Sequence, residues 1–234
     1  WMLSRKYSTT TISIHLRCLR AAITHAGYEP NFTKKILPKT MVRKMALTKQ
    51  DIVKIKQYNG DNERVQWARD MFMFSYINGG MNTKDMAMLR WTDVQKDRFH
   101  FARSKRTGSE PVVIVHPLND VTRAIIKRWG DKSSLFVFGV MDGDEDAEWI
   151  RKKSNQFTKN INKWLKRLAV ELKLPVSNLT TYVARHSFAT VLKRDGVDID
   201  YISEMMGDSV ETVKKHYFEG FELESFKKVQ KSLY

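Results

Sequence analysis

The sequence predicts a mainly α-helical protein with one small antiparallel β-sheet, an α+β fold. Apolar residues recur at helical spacing through most of the 234 residues, whereas only residues 98–116 combine β-rich runs with a central turn. Apolar residues make up 42% and aromatic residues 11%, which is enough to exclude a disordered chain. No apolar run approaches the roughly 20 residues that span a bilayer, so we expect no membrane partner.

The opening segment is predicted to form an amphipathic helix followed by a basic linker. Its apolar stripe, which Gly27 can terminate, consists of Ile12, Leu16, Leu19, Ile23 and Ala26. Prolines interrupt residues 28–45, which show no helical period. The chain begins with Trp1, and its first helix has no evident packing partner. We therefore expect that the natural beginning of the protein is missing.

The next helices and strands are predicted from the residues that begin and end them. Thr48 and Asp51 resemble a capping box that begins one helix, and a second helix over 62–77 ends before Gly79-Gly80. Phe99, Phe101 and the run 112–115 flank a polar turn and predict a β-hairpin. Helical patterns then resume at Asn119 and continue near 155–173, 180–194, 199–206, 210–217 and 223–233.

The charge of the chain favours a polyanionic partner, with nucleic acid first and a membrane surface second. Lys and Arg number 41 and Asp and Glu 26, which gives +15. Residues 1–45 hold nine basic side chains and one acidic side chain, so they carry +8 of this excess. A second basic run over 151–167 follows an acidic stretch, 142–148, that is expected to be a solvated loop. Either basic run could instead be an ordinary solvated helix face.

The single cysteine, Cys18, excludes an internal disulfide framework and a cysteine-based zinc site. It also favours an intracellular, cytoplasmic location. The sequence has no phosphate-binding Gly-rich loop before a Lys-Ser/Thr pair and no paired histidines at helical spacing. We therefore expect neither a metal nor a cofactor.

Three ordered motifs carry the functional prediction. The last third contains Thr180-Thr-Tyr-Val-Ala-Arg-His-Ser-Phe-Ala-Thr190, and further on Met206-Gly-Asp-Ser209 and Lys215-His-Tyr217. This region resembles the catalytic domain of the tyrosine recombinases, the phage integrase family, whose second box reads His-x-x-Arg-His-Thr/Ser-Phe-Ala-Thr and precedes Leu-Gly-His. In that family the nucleophilic tyrosine follows the last histidine by nine residues, a register that Tyr217 matches.

Upstream segments extend the resemblance over nearly the whole chain. Residues 79–93 resemble the first box of the family, and Arg103-Ser-Lys105-Arg-Thr-Gly108 resembles its lysine hairpin. The resemblance implies a catalytic domain over 46–234, and a C-terminal helix of a core-binding domain plus linker over 1–45. It also implies an integrase of a mobile element that cleaves and rejoins DNA through a 3′-phosphotyrosyl intermediate.

The resemblance also implies residue roles. Tyr217 would be the nucleophile, Arg185 the clamp on the phosphate and Lys105 the general acid, for which Arg106 competes. Asp85 would cap or orient an arginine, and His186 is expected to be structural rather than a base. Three positions depart from the family pattern: Asn82 replaces an arginine, and Tyr182 and Asp208 replace histidines. Tyr182 could bind phosphate or merely pack, and the sequence does not explain Asp208.

A substitute for the missing arginine is expected nearby. Arg103 and Lys105 lie two apart on a probable strand and face the same side, so we predict that Arg103 supplies the second guanidinium, with Arg90 as second choice. DNA contacts are predicted for Arg17, Arg20, Lys34, Lys35, Arg43 and Lys44. His216 is either a further DNA contact or a surface residue.

The predicted partner is double-stranded DNA at a recombination site, bound by a homo-oligomer. Residues 223–234 would then be a segment that docks on a neighbouring protomer. Two alternatives remain at this point: a catalytically attenuated relative that only binds DNA, as the three departures would favour, and a helix-turn-helix regulator, for which the lysine hairpin has no explanation.

Overall fold

The computed structural model describes residues 1–31, 46–104, 112–176 and 178–217, with the side chain of His216 excepted. The chain divides into two compact units, Trp1–Arg43 and Lys44–Tyr234. In the first unit, α1 covers Thr9–His25 and begins where the Ser8 hydroxyl accepts a hydrogen bond from the backbone N–H of Thr11. The predicted opening helix is confirmed. The assignment of this unit to a core-binding domain remains a prediction.

The second unit contains eight further helices and two strands within its described residues. They are α2 (Lys49–Gln57), α3 (Glu63–Ile77), α4 (Thr83–Ala87), β1 (Arg98–Ala102), β2 (Val113–Pro117), α5 (Asp120–Trp129), α6 (Ala147–Glu171), α7 (Thr181–Arg194), α8 (Ile199–Met206) and α9 (Val210–His216). The capping box of Thr48 and Asp51 is present at the start of α2. The predicted helix over 223–233 lies outside the described residues.

The start of α6 differs from the prediction by eight residues. The Asp146 carboxylate accepts a hydrogen bond from the Trp149 N–H at 2.8 Å and begins the helix at Ala147. Acidic side chains favour the first turn of a helix because the partial charge there is positive, and Glu148 also pairs with Lys152 one turn on. The acidic stretch is therefore a loop up to Asp146 and a helix start beyond it.

The core is built around α3, which packs against α2, α5, α6 and α7. The consecutive residues 71–74 of α3 are all buried, so this helix has no solvent face over that turn. The methionines at 71, 73, 81 and 86 are buried and Met88 is partly buried. These methionines are therefore core residues.

The predicted hairpin is confirmed as an antiparallel pair in which Phe99 faces His116 and Phe101 faces Ile114. These four side chains are buried, whereas Val113 and Val115 on the other face are exposed. Burial lowers the pKa of His116 to about 4, and a backbone hydrogen bond with Met205 opposes this shift only in part. Within the described ranges, every helix is too short or too polar to cross a membrane.

Candidate active site

The site forms around Arg185 on α7, whose side chain is buried with 3% of its surface exposed. Three backbone carbonyls hold its guanidinium. Nη1 donates to the carbonyls of Gly79 and Gly80 at 3.3 and 2.9 Å, and Nη2 donates to the carbonyl of Met206 at 2.8 Å. The side chain is thus anchored to the turn after α3 and to the end of α8.

The Gly79-Gly80 turn brings its carbonyls to Arg185 because both glycines adopt left-handed backbone angles, φ of 67° and 65°. A Cβ on Gly80 would lie 2.6 Å from the Cα of Arg185. Glycine is therefore required at position 80 both by the backbone conformation and by the close approach of α7.

The two remaining N–H groups of Arg185 bind side chains. Nε donates to the Tyr217 hydroxyl at 3.1 Å, and Nη2 also donates to Oδ2 of Asp208. A guanidinium has five N–H donors, so every donor of Arg185 has an acceptor within the chain.

Tyr217 is held next to this guanidinium at the end of α9. Its side chain is 6% exposed, its ring lies 5.3 Å from the Arg185 guanidinium carbon, and its backbone carbonyl accepts a hydrogen bond from the Thr190 hydroxyl at 3.1 Å. The predicted nucleophile and the predicted clamp therefore share a direct hydrogen bond. Their roles stay predictions.

Arg103 follows β1 and extends the hairpin by one hydrogen bond, from its backbone N–H to the Val112 carbonyl at 3.0 Å. Its side chain, 7% exposed, donates through Nη1 to the Gly207 carbonyl and to Oδ1 of Asp208. Its Nε is buried and finds no hydrogen-bond partner in the described part of the chain. Arg90, the second choice, instead lies 5.1 Å from the ring centroid of Phe136 and is exposed.

Asp208 lies between the two arginines and uses one carboxylate oxygen for each. Burial alone would raise the pKa of Asp208, but the hydrogen bonds and charges of Arg103 and Arg185 outweigh it and hold this pKa below its usual value. A carboxylate at a predicted phosphate site is tolerated here because it is tied to two cations.

Tyr182 lies in the first turn of α7 and is half exposed. Its ring centroid is 4.4 Å from that of His186 and 6.3 Å from that of Tyr217. Burial, together with the neighbouring Tyr217, raises the pKa of Tyr182, so its phenol is protonated at neutral pH. It is available as a hydrogen-bond donor and not as a base.

Asn82, which stands where the family pattern has an arginine, contacts Asp85. It begins α4, and its Nδ2 donates to Asp85 at 3.4 Å; the other oxygen of Asp85 accepts from the backbone N–H of Ser104 at 3.0 Å. Asp85, which sequence reasoning assigned to an arginine, thus binds the backbone next to Arg103. Asn82 and Asp85 together tie α4 to the end of β1.

The other predicted residues lie elsewhere. Arg17 and Arg20 are on α1 in the first unit, where Arg17 donates to the carbonyl and hydroxyl of Ser13. Outside the described residues are Lys105, Lys34, Lys35, Arg43, Lys44, the His216 side chain and the proposed docking segment 223–234. In the described part of the chain, no group of three or more His, Cys, Asp or Glu residues could hold a metal ion.

Sequence reasoning missed the carbonyl groups that hold the two arginines. They belong to Gly79, Gly80, Met206 and Gly207. The sequence signal for them is glycine, at Gly79-Gly80 and at Gly207. All three have a positive φ in the structure, and glycine often stands where the backbone closely approaches another group.

Solved structures share this fold. The Tn1549 transposon integrase, in complex with transposon right end DNA, matches with a TM-score of 0.66 over 99% of this chain and 82% of its own, at 16% identity. A lambda integrase dimer bound to a COC′ core site matches with a TM-score of 0.58 over 92% of this chain and 75% of its own, at 15% identity. The fold is that of tyrosine recombinase catalytic domains.

Sequence comparisons give the family. The tyrosine recombinase XerA of Thermococcus kodakarensis is 26% identical over 208 residues, which are 87% of this chain and 68% of the relative. XerC of a Roseiflexus species is 24% identical over 88% of this chain and 67% of its own length. The model of the phage integrase family matches residues 45–222. The chain belongs to the phage integrase family.

Proposed function

We propose that this chain is a site-specific recombinase that cleaves and rejoins double-stranded DNA through a 3′-phosphotyrosyl intermediate on Tyr217. The observation that carries the proposal is the hydrogen bond from Nε of Arg185 to the hydroxyl of Tyr217. A phosphate bound at this guanidinium would lie next to the attacking oxygen, which is the proximity that a nucleophilic mechanism needs.

The chemistry follows from these groups. The Tyr217 oxygen forms a bond to phosphorus and releases its proton to solvent, while the bond between phosphorus and the 5′-oxygen breaks. The leaving oxygen then needs a proton, for which Lys105 is the proposed donor. The covalent ester retains the energy of the broken phosphodiester bond, so a 5′-hydroxyl can later reverse the step and join the strands.

The two guanidiniums would stabilise the charge that builds on the non-bridging oxygens in the transition state. Arg185 and Arg103 bind one carboxylate between them, which shows that a single small anion can contact both. This geometry supports Arg103 as the substitute for the arginine that Asn82 replaces. Tyr182, half exposed beside Tyr217, is a further proposed donor to the phosphate.

The proposed partner is duplex DNA, bound by a homo-oligomer in the cytoplasm. The DNA complexes of the related integrases and the dimer seen for lambda integrase support this proposal. The net charge of +15 supports it independently, because phosphate contacts supply much of the affinity of DNA-binding proteins. By analogy with the Tn1549 transposon integrase, the DNA that this recombinase cuts and joins would belong to a mobile genetic element.

The test is the formation of a covalent adduct. Duplexes that bind the chain are selected from a random pool, nicked near the centre so that the cleaved end diffuses away, and incubated with the protein. A denaturing gel should show a protein–DNA adduct that Tyr217→Phe does not form. Tyr217→Phe leaves the buried ring in place and removes one hydrogen bond of Arg185, so the variant should still fold and bind DNA, which circular dichroism and a binding assay check.

A chain that binds selected duplexes but never forms the adduct would instead be the attenuated, DNA-binding relative. The specific observation in favour of that alternative is the saturation of Arg185 by acceptors of the chain itself. The direct contact between Arg185 and Tyr217 favours the enzyme.

A further inference from the structure

The donors of Arg185 are occupied before any DNA is present. Arg185 makes five hydrogen bonds, three to backbone carbonyls and one each to Tyr217 and Asp208. A phosphate oxygen therefore cannot gain a hydrogen bond from this guanidinium unless one of these five acceptors leaves.

Asp208 is the acceptor best able to leave. The three carbonyls are fixed by the left-handed turn at Gly79-Gly80 and by the end of α8. The Tyr217 ring is buried at the end of α9. Asp208, by contrast, lies outside the helices, between α8 and α9. Its carboxylate can leave the guanidinium by rotation about the side-chain bonds, without a change in the backbone.

We propose that Asp208 is an internal anion that occupies the phosphate position of the site, so that the scissile phosphate has to displace it from Arg103 and Arg185. The inference rests on the proposed function of this pocket as a phosphate site. The Asp208 carboxylate contacts both guanidiniums, as the phosphate would, and carries the same single negative charge as a phosphodiester.

A second observation points to an incoming ligand. Nε of Arg103 is buried and has no hydrogen-bond partner among the described residues, although Nη1 of the same guanidinium binds Asp208 and Gly207. A buried N–H without a partner is rare and costly. A phosphodiester has two ester oxygens besides its two charged oxygens, so it has acceptors for this donor as well as for those that Asp208 now satisfies.

The proposal also explains the substitution at this position. A histidine, which the family pattern places here, could donate to a phosphate, whereas a carboxylate repels it. The repulsion would hold the site closed until a well-placed DNA phosphate is present in high effective concentration. Asp208 would thus lower the affinity for stray anions and for poorly aligned DNA.

The experiment measures inorganic phosphate binding to the full chain by titration calorimetry at constant ionic strength. Asp208→Asn keeps the shape of the side chain and removes its charge, so we expect it to bind phosphate at least tenfold more tightly than the unaltered protein, a difference of about 1.4 kcal/mol. The control is Asp195→Asn, which removes the same charge from an exposed pair with Lys49, and it should leave the affinity unchanged.

Equal or weaker phosphate binding by Asp208→Asn would overturn the proposal and make Asp208 a residue that positions Arg103. Undetectable phosphate binding by both proteins would overturn it as well. Should Asp208→Asn fail to fold, Asp208→Ser is titrated in the same way, since its smaller side chain leaves room for the anion. Phosphate binding requires no cleavage of DNA, so failure here is distinct from absence of the Tyr217 adduct.

Discussion

At the scale of single residues, Arg103 is the proposed substitute for the arginine that Asn82 replaces. The family pattern places a guanidinium at position 82, yet Asn82 hydrogen-bonds to Asp85, whose other oxygen accepts from the residue after Arg103. The guanidinium enters instead from the hairpin, where Arg103 shares Asp208 with Arg185. On this proposal the second positive charge comes from a different element.

Replacing Arg103 tests this compensation. Arg103→Gln should lower the rate of adduct formation with selected duplexes by about 10² to 10³, the loss typical when one donor to a transition-state oxygen is removed. Single-turnover gels measure this rate. Arg90→Gln is the matched comparison, because Arg90 packs on Phe136 and should retain cleavage. The reverse pattern would make Arg90 the substitute guanidinium.

At the scale of elements, the turn between α3 and α4 fixes the orientation of Arg185. Gly80→Ala should lower the free energy of unfolding by about 3 kcal/mol or more. Alanine at this positive φ costs about 1 to 2 kcal/mol, and its Cβ would also clash with α7. Urea unfolding measures this difference in the free energy of unfolding.

Gly196→Ala is the control for the turn. Gly196 has a φ of 81°, but a Cβ there meets nothing within 4 Å. Gly196→Ala should therefore lower the free energy of unfolding by only about 1 to 2 kcal/mol, which is the cost of the strained backbone. Equal losses for the two variants would mean that the contact between Gly80 and α7 does not matter.

The elements were largely predictable, whereas the contacts within the site were not. Capping residues and apolar spacing are local signals, so α2, α3, α7 and the hairpin follow from a few neighbouring residues each. The start of α6 was missed because an acidic cap resembles an acidic loop in sequence. The pairing of Arg103 with Asp208 spans 105 positions, and no local pattern encodes it.

At the scale of the whole molecule, the charge of +15 is distributed unevenly, with +8 in residues 1–45. The second basic run is partly neutralised within the chain, since Lys152 pairs with Glu148 and Lys153 with Glu145 at 2.9 and 2.7 Å. Lysines that already have carboxylate partners release fewer counterions from DNA when they bind. The first 45 residues should therefore dominate the salt dependence of binding.

Paired substitutions measure this difference. The double variant Lys34→Gln/Lys35→Gln should reduce the slope of log affinity against log salt by about 2 for a non-specific duplex, since each phosphate contact contributes about 0.9. Fluorescence anisotropy at several salt concentrations gives the slope. The double variant Lys152→Gln/Lys153→Gln also removes two charges and should change it little. Identical slopes for both variants would contradict the assignment of residues 1–45 as the main DNA contact.

The five hydrogen bonds of Arg185 also bear on which residues of such a site are kept during evolution. An arginine that anchors the α3–α4 turn and the end of α8 should stabilise the fold, whether or not DNA is ever cut. Lineages that abandon strand exchange would be expected to keep it. Among the described residues the Tyr217 hydroxyl makes one hydrogen bond, to Nε of Arg185, so a change to phenylalanine removes the proposed nucleophile and only one contact of the fold. That substitution would mark a lineage that no longer exchanges strands.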